Sequence, residues 1–260
     1  MEISYPDYIK KVEHILKEET LKEIALKVKT LGKFKKSATD QWEPVPYAGY
    51  TMITPTLGSD LENSNTYLRL LELQEILSKS LDLSKIVRAP AKALHMTVAR
   101  LISGETFEKM LEYSHEFELL TSCTQLFSQI TVSRPIEFEI KGLSIFPQGV
   151  IGAEVSPRTE NDYQMLQTLR DCIYNDQALT DLGVDRKRGF HGHITLFYIE
   201  EKLYENDREI LASAVTDINR DYFQVALPYY LARAEIRKFD NFLSFYRQDS
   251  WPFLKFTSLE

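Results

Sequence analysis

Two short motifs in this 260-residue chain each combine an imidazole with a hydroxyl. They are His95-Met96-Thr97-Val98 and His193-Ile194-Thr195-Leu196. In a β-strand, residues i and i+2 point to the same face, so each motif predicts a His beside a Thr, with apolar residues on the opposite face. The chain has only five histidines, so the appearance of this motif twice is informative.

The two motifs carry a set of groups that is sufficient for phosphoryl transfer. The pKa of an unperturbed histidine is about 6.5, so one imidazole can be neutral while the other is protonated. The neutral ring can take a proton from water or a hydroxyl and the charged ring can protonate the departing oxygen, each step contributing roughly 10²–10⁴-fold. The threonine hydroxyls can donate hydrogen bonds to the non-bridging oxygens. We therefore expect His95, Thr97, His193 and Thr195 to be catalytic, with no metal or other cofactor, and the assignment of acid and base stays open.

The surrounding hydrophobic periodicity predicts the elements that must position these motifs. The order strand, helix, strand, helix occurs twice, and each motif lies in the third element of its pass. This order indicates a diverged internal duplication, and packing about a pseudo-two-fold axis would bring the two polar faces together across a cleft. The predicted strands are 47–54, 91–102, 135–146, 150–155, 190–199, 223–236 and 242–247, and the predicted helices are 64–80, 105–130, 160–179 and 205–219.

The predicted elements also suggest how the chain is divided. Residues 1–46 are expected to form an N-terminal extension, with an amphipathic helix over 7–30 and an irregular segment over 31–46. Residues 47–260 are expected to form one bilobal domain, with lobe repeats at roughly 47–131 and 135–247.

Composition limits the classes of partner. The formal net charge of −7 argues against a protein that binds long duplex nucleic acid by neutralising its phosphates. The N-terminus carries no apolar signal segment, and no apolar run approaches the roughly 20 residues of a membrane span. We expect a cytoplasmic monomer without membrane contact.

The two motifs, their spacing and their repetition resemble the 2H phosphoesterase superfamily, which includes the LigT-like RNA ligase/cyclic phosphodiesterase proteins. The resemblance extends from about Tyr47 to Arg247, and segments 142–147 and 150–155 resemble the central hairpin of that family. Segments 32–34 and 46–51 resemble one uncharacterised bacterial branch of the superfamily.

The resemblance implies an α+β, bilobal fold in which two antiparallel sheets, backed by helices, surround a central cleft. It places His95, Thr97, His193 and Thr195 at the floor of that cleft. The family's activities are hydrolysis of 2′,3′-cyclic phosphates, cleavage or formation of 2′–5′ linkages and removal of terminal RNA nucleotides. The expected substrate is therefore a small nucleotide or an RNA end.

Four further residues are candidates for substrate binding. His191 shares the strand face of His193, and Arg188 belongs to a basic loop, residues 185–189, that precedes the second motif. Phe146, at the predicted hairpin turn, and Tyr50 are candidates for stacking on a base. Tyr198 is discounted, because strand alternation places it on the face opposite His193.

Two alternative functions remain open at this point. A module of the same fold could bind nucleotides or RNA ends without turnover, although a binder needs no acid–base pair. His191 and His193 could instead form a metal pair at i and i+2, which would indicate a zinc hydrolase.

Overall fold

The computed structural model of the chain describes residues 2–113 and 115–256. Within these residues, no helix is long and apolar enough to cross a membrane. The helices are α1 Tyr5–Ile15, α2 Glu18–Lys27, α3 Ser64–Ser78, α4 Glu105–Glu112, α5 Glu116–Gln129, α6 Glu160–Tyr174, α7 Gln177–Asp181 and α8 Glu205–Tyr222. The strands are β1 Phe34–Lys36, β2 Trp42–Pro44, β3 Gly49–Ile53, β4 Ile86–Arg88, β5 Thr97–Ser103, β6 Ile136–Phe146, β7 Val150–Pro157, β8 Gly192–Ile199, β9 Leu227–Leu231, β10 Arg233–Asn241, β11 Ser244–Tyr246 and β12 Phe253–Lys255.

Two five-stranded antiparallel sheets form the framework of the molecule, and the predicted α+β fold is confirmed. The first sheet has the order β11-β10-β3-β5, with β12 also paired to β10. The second sheet has the order β4-β8-β7-β6-β9. Helices α1, α2, α6 and α8 pack against the second sheet, and α4 packs against β5 of the first.

The sheets do not correspond to the two predicted lobe repeats. Strands β10 and β11, which lie late in the chain, complete the first sheet by pairing of β10 with β3. Strand β4, from the first half of the chain, pairs with β8 in the second sheet. Each sheet therefore contains strands from both repeats, because its free edges are covered by strands from the other half of the chain.

The N-terminal segment differs from its predicted form. The single helix predicted over 7–30 is two helices, because Lys17 adopts an extended backbone conformation between α1 and α2. The break lets α2 turn and pack against α8. The segment predicted to be irregular contains the β1–β2 hairpin, whose buried Phe34 packs against Tyr198 with ring centroids 5.3 Å apart. The extension thus contributes directly to the core beside β8.

The first motif strand is shorter than predicted. Residues 91–93 form a single 3₁₀ turn after Pro90, and regular strand pairing begins only at Thr97. Met96 nevertheless makes an isolated antiparallel bridge, which places the first motif at the junction of the two sheets.

Candidate active site

The two motifs meet at one backbone contact between the sheets. Met96 pairs with Ile194 in an antiparallel bridge, and both side chains are fully buried. In an antiparallel pair, the residue before one partner lies opposite the residue after the other. His95 therefore lies beside Thr195, and Thr97 lies beside His193. All four of these polar side chains are partly exposed, whereas their apolar neighbours are buried.

A β-bulge follows the threonine of each motif. On β5, Thr97 pairs with Ile53 and Ala99 with Met52, so Val98 is the extra residue. On β8, Thr195 pairs with Gly152 and Phe197 with Ile151, which makes Leu196 the extra residue. Bulges kink a strand and redirect its side chains, and they are frequent beside active sites. The fourth, apolar position of the motif is thus a bulge residue in both strands, which supports the pseudo-two-fold relation.

Both imidazoles are oriented by the same hydrogen bond. His95 Nδ1 lies 2.8 Å from the carbonyl oxygen of Ala93, and His193 Nδ1 lies 3.1 Å from that of His191. A carbonyl oxygen can only accept, so each Nδ1 carries the proton and donates it. In the neutral ring Nε2 is then an acceptor. Within residues 2–113 and 115–256, neither Nε2 has a hydrogen-bond partner.

The environment of the site disfavours the charged form of both histidines. Burial lowers the pKa of His95 to about 4, and the positive charges of Arg237 and of a protonated His193 act in the same direction. Burial also lowers the pKa of His193 to about 4, although the carbonyl of His191 and the carboxylate of Glu154 oppose this shift. The two rings are close enough for the charge on His193 to disfavour protonation of His95.

A buried carboxylate lies beside His193 on the neighbouring strand. Glu154, on β7, is the cross-strand partner of His193 and is fully buried. Its carboxylate accepts a hydrogen bond from Ser144 Oγ at 2.6 Å and lies 2.9 Å from His191 Nε2. His191 is therefore held by Glu154 at the site, and its backbone carbonyl in turn orients His193.

The histidine pair of the zinc alternative does not converge on a common point. The ring centroids of His191 and His193 are 6.3 Å apart, with planes at 80°, and His191 Nε2 is bound to Glu154. In the part of the chain that the structure describes, no group of three or more His, Cys, Asp or Glu side chains is arranged to hold a metal ion. These donor positions do not fit a zinc site.

Each motif histidine contacts a partly exposed phenylalanine. The ring of Phe146 lies 4.8 Å from that of His193, and the ring of Phe245 lies 4.4 Å from that of His95. Phe146 is at the end of β6, where sequence reasoning placed it beside the site. Sequence reasoning missed Phe245, because β11 reaches the site only through the pairing of β10 with the first sheet. No local signal in its own segment marks it.

Two tyrosines are not where the sequence placed them. Tyr50 is buried on the opposite face of its sheet, where it packs against Phe107 and Trp251 and donates a hydrogen bond to Glu116. The structure therefore does not bring Tyr50 to the cleft. The bulge at Leu196 reverses the alternation along β8, so Tyr198 lies on the same face as His193. Its buried hydroxyl donates a hydrogen bond to the carbonyl of Phe242 at 3.1 Å, so it ties the segment between β10 and β11 to the strand that carries the second motif.

Within the described residues, the cations of the predicted basic loop differ in their acidic partners. Arg186 forms ion pairs with Asp171 and Glu2, and Lys187 lies 3.9 Å from Asp185. Arg188 is exposed, and its positive charge contributes to the lowered pKa of His193. Of the three cations, Arg188 is the one that the structure brings to the histidines.

A depression of about 620 Å³ lies elsewhere on the surface. Residues of α4, α5 and α7 line it, together with His115, whose Nδ1 is hydrogen-bonded to Glu118 at 2.6 Å. Among its described lining residues His115 is the single histidine, so this depression does not offer the acid–base pair that the motif site offers.

Two antiparallel sheets that meet at paired His-x-Thr motifs define the class of the 2H phosphoesterases. Residues 53–227 match the family model described as the AKAP7 2′5′ RNA ligase-like domain, and the chain belongs to this family. The resemblance found in the sequence is thereby confirmed.

Solved structures resemble this fold at low sequence identity. The crystal structure of ATU0111, a conserved protein of unknown function from Agrobacterium tumefaciens str. C58, is similar with a TM-score of 0.60 and 16% identity, over 79% of this chain and 86% of that one. TT0787 of Thermus thermophilus is similar with a TM-score of 0.45 and 15% identity, over 72% and 86% of the two chains. LigT of E. coli in its apo form is similar with a TM-score of 0.44 and 13% identity, over 82% of this chain and 99% of that one. No curated protein sequence matched this chain.

Proposed function

We propose that this protein is a metal-independent phosphodiesterase that hydrolyses a 2′,3′-cyclic phosphate, a 2′–5′ linkage or a small cyclic nucleotide or oligonucleotide. The observation that carries the proposal is the Met96–Ile194 bridge, which sets His95 and His193 on one face with both Nδ1 atoms bound to backbone carbonyls. Both Nε2 atoms remain available to exchange protons with a substrate between them.

Hydrolysis of a cyclic phosphate needs two proton transfers at this site. One neutral imidazole takes a proton from water through Nε2 as the water oxygen bonds to phosphorus. The bond from phosphorus to one ribose oxygen breaks, and the second, protonated imidazole gives its proton to that oxygen. Thr97 and Thr195 donate hydrogen bonds to the non-bridging oxygens, where negative charge concentrates. The product is a phosphate monoester with a free neighbouring hydroxyl.

Charges of both signs surround the two histidines. Arg237 disfavours protonation of His95, whereas at His193 the carboxylate of Glu154 favours protonation and the charges of His191 and Arg188 disfavour it. Either ring can therefore serve as the base while the other serves as the acid, and the two roles exchange in the reverse direction.

The aromatic flanks support a nucleotide as the substrate. Phe146 and Phe245 border the two histidines, and both rings are partly exposed, so each can stack on a base. The net charge of −7 favours a small nucleotide or a single RNA end over a long duplex.

A substrate panel in excess EDTA tests the proposal. The protein is incubated with 2′,3′-cyclic mononucleotides and with 2′–5′ oligoadenylate, and the products are separated and mapped by chromatography. We expect conversion of at least one of these substrates at a rate that EDTA does not change. Loss of turnover in EDTA with recovery on adding zinc would favour the metal-dependent alternative, and binding without product would favour the non-catalytic module.

A further inference from the structure

Two arginines extend the cleft beyond Thr97 and His193. Arg100 pairs with Thr51 on β3, and Thr97 pairs with Ile53, two positions further along the same strand. Because residues i and i+2 of β3 share a face, Arg100 and Thr97 lie on the same face of the sheet. Arg188, in the loop that precedes β8, is also exposed.

A buried third arginine holds these two residues in place. Arg170, on α6, donates hydrogen bonds to the carbonyl of Val98 at 2.6 Å and to that of Arg188 at 3.4 Å. It therefore ties the loop to β5, two residues before Arg100. The amide of Arg100 donates to the hydroxyl of Tyr174 at 3.0 Å, and the Arg170 guanidinium lies over the Tyr174 ring. The backbone positions of Arg100 and Arg188 are thus fixed against one scaffold.

The protein compensates only part of the positive charge at this position, through the ion pair of Arg170 with Glu2 at 3.5 Å. Within residues 2–113 and 115–256, neither Arg100 nor Arg188 forms an ion pair, whereas Arg186 in the same loop has two acidic partners. Partial burial of its guanidinium and the neighbouring charges of Arg100 and Arg170 lower the pKa of Arg188, in keeping with the Arg170 hydrogen bonds that hold the loop against β5. In addition, the buried Nε of Arg170 has no hydrogen-bond partner in the described part of the chain. A bound anion would relieve this repulsion.

The cleft consequently has two chemically different ends. At the His95 end, Phe245 covers the imidazole. At the His193 end, Arg188 is close enough for its charge to affect protonation of His193. The scissile phosphate occupies the middle, between the histidines. The cationic end is then adjacent to the next group along the substrate.

We propose that Arg100 and Arg188 form a second anion site, beside the histidine pair, that binds a further phosphate of the substrate. The inference rests on the proposed function, because it takes the histidine pair as the position of the scissile phosphate. The preferred substrate is then a nucleotide with two phosphates, in which the second is a 5′-phosphate or the internucleotide phosphate of an RNA end. Arginine suits this role, because its planar fork binds two phosphate oxygens at once.

Binding of product-like ligands tests the site without requiring turnover. Adenosine 3′-phosphate and adenosine 3′,5′-bisphosphate are titrated calorimetrically into the wild-type protein, the Arg100→Gln/Arg188→Gln double variant and Lys187→Gln. Lys187→Gln is the matched control, because it removes one positive charge from the same loop at a side chain that points to Asp185. A dinucleotide with a 3′-phosphate and no 5′-phosphate is a further ligand. When its 3′-phosphate lies between the histidines, the internucleotide phosphate is the one group left for the second site.

We expect the bisphosphate to bind the wild-type protein at least about tenfold more tightly than the monophosphate. The double variant should lose this preference, and Lys187→Gln should keep it within about twofold. A wild-type protein without the preference, or a double variant that retains it, would overturn the second site. If the dinucleotide shares the tighter binding, the site accepts an internucleotide phosphate, and if it does not, the site is restricted to a terminal phosphate.

The outcome separates this inference from the proposed function. If the protein prefers the bisphosphate but hydrolyses no substrate in the panel, the anion site is supported and the proposed activity is wrong. If it hydrolyses a cyclic phosphate but shows no such preference, the proposed activity is supported and the second site is wrong. Because the wild-type titration alone can overturn the inference, the test does not depend on folding of the double variant.

Discussion

Met96 and Ile194 pair across the junction of the two sheets, and this single bridge sets the relation between the two motifs. It fixes which threonine lies beside which histidine, so that each imidazole faces the hydroxyl of the other motif. A site built in this way is shared equally by the two strands. Loss of either strand's polar pair should therefore affect the whole reaction.

The threonines provide the first test. Thr97→Val and Thr195→Val should each lower kcat by about 10²-fold, because a donor to the transition-state charge is lost while the side-chain shape is kept. Thr→Ser at the same positions restores the hydroxyl and should recover most of the rate. Thermal unfolding should change little, since both side chains are partly exposed. If the valine variants keep the wild-type kcat, the threonine hydroxyls do not stabilise the transition state.

The two phenylalanines beside the histidines should act on substrate affinity. Phe146→Ala and Phe245→Ala should each raise KM by about tenfold or more if the ring stacks on a base, since stacking contributes about 1–3 kcal/mol per base. Phe→Trp keeps an aromatic surface and serves as the control at each position. Unchanged KM in an alanine variant would assign that ring to packing alone.

The lowered histidine pKa values predict an unusual pH dependence. With both pKa values at about 4 in the free protein, both rings are neutral at pH 7, and the form with one proton becomes scarcer as pH rises above about 5. The value of kcat/KM should therefore fall from about pH 5 to about pH 7. The negative charge of a bound phosphodiester raises the pKa of both rings, so the corresponding fall in kcat should occur at higher pH.

Steady-state rates from about pH 4.5 to about pH 8.5 check this expectation, with circular dichroism at each pH as the control for folding. That control is needed because these two histidines have a pKa of about 4 in the folded protein and about 6.5 in the unfolded chain. Between these pH values the unfolded chain binds more protons, so the free energy of unfolding decreases as the pH falls. A kcat/KM that rises between about pH 5 and about pH 7 would be inconsistent with the environment described for the site.

Glu154 should act on the reaction only through His193. Glu154→Gln keeps a hydrogen-bonding side chain beside Ser144 and His191 but removes the negative charge that favours protonated His193. The fall of kcat/KM with pH should therefore shift to lower pH, with a lower rate at neutral pH. Glu118→Gln is the matched control, because it also removes a carboxylate paired with a histidine, outside this site. If the pH dependence of kcat/KM is the same in Glu154→Gln as in the wild-type protein, Glu154 does not influence the protonation of His193.

The sequence predicted the class of fold and the motif pairs because both depend on local pattern. Hydrophobic periodicity located most helices and strands, and the repetition of His-x-Thr located the two strands that meet. The orientation of the imidazoles by carbonyls two residues earlier also follows from local backbone geometry, although it is visible only in the structure.

Other features depend on contacts between distant segments, and sequence reasoning missed them for that reason. Phe245 reaches His95 because β10 pairs with β3, a contact between segments at opposite ends of the chain. Tyr198 changes face because one bulge at Leu196 breaks the alternation that the prediction assumed. Tyr50 packs against Phe107 of α4, and the sequence alone does not indicate which face of β3 the helix covers.

The most direct measurement of the central claim compares kcat/KM of the wild-type protein, His95→Ala, His193→Ala and the double variant on the best substrate of the panel, in EDTA. Each single change should lower the rate by about 10²–10⁴-fold, because the base or the acid of one reaction is lost. The double variant should be little worse than the less active single variant, since residues that act as a unit are not additive. If either single variant, shown to be folded, turned over substrate at the wild-type rate, the paired acid–base mechanism would be contradicted.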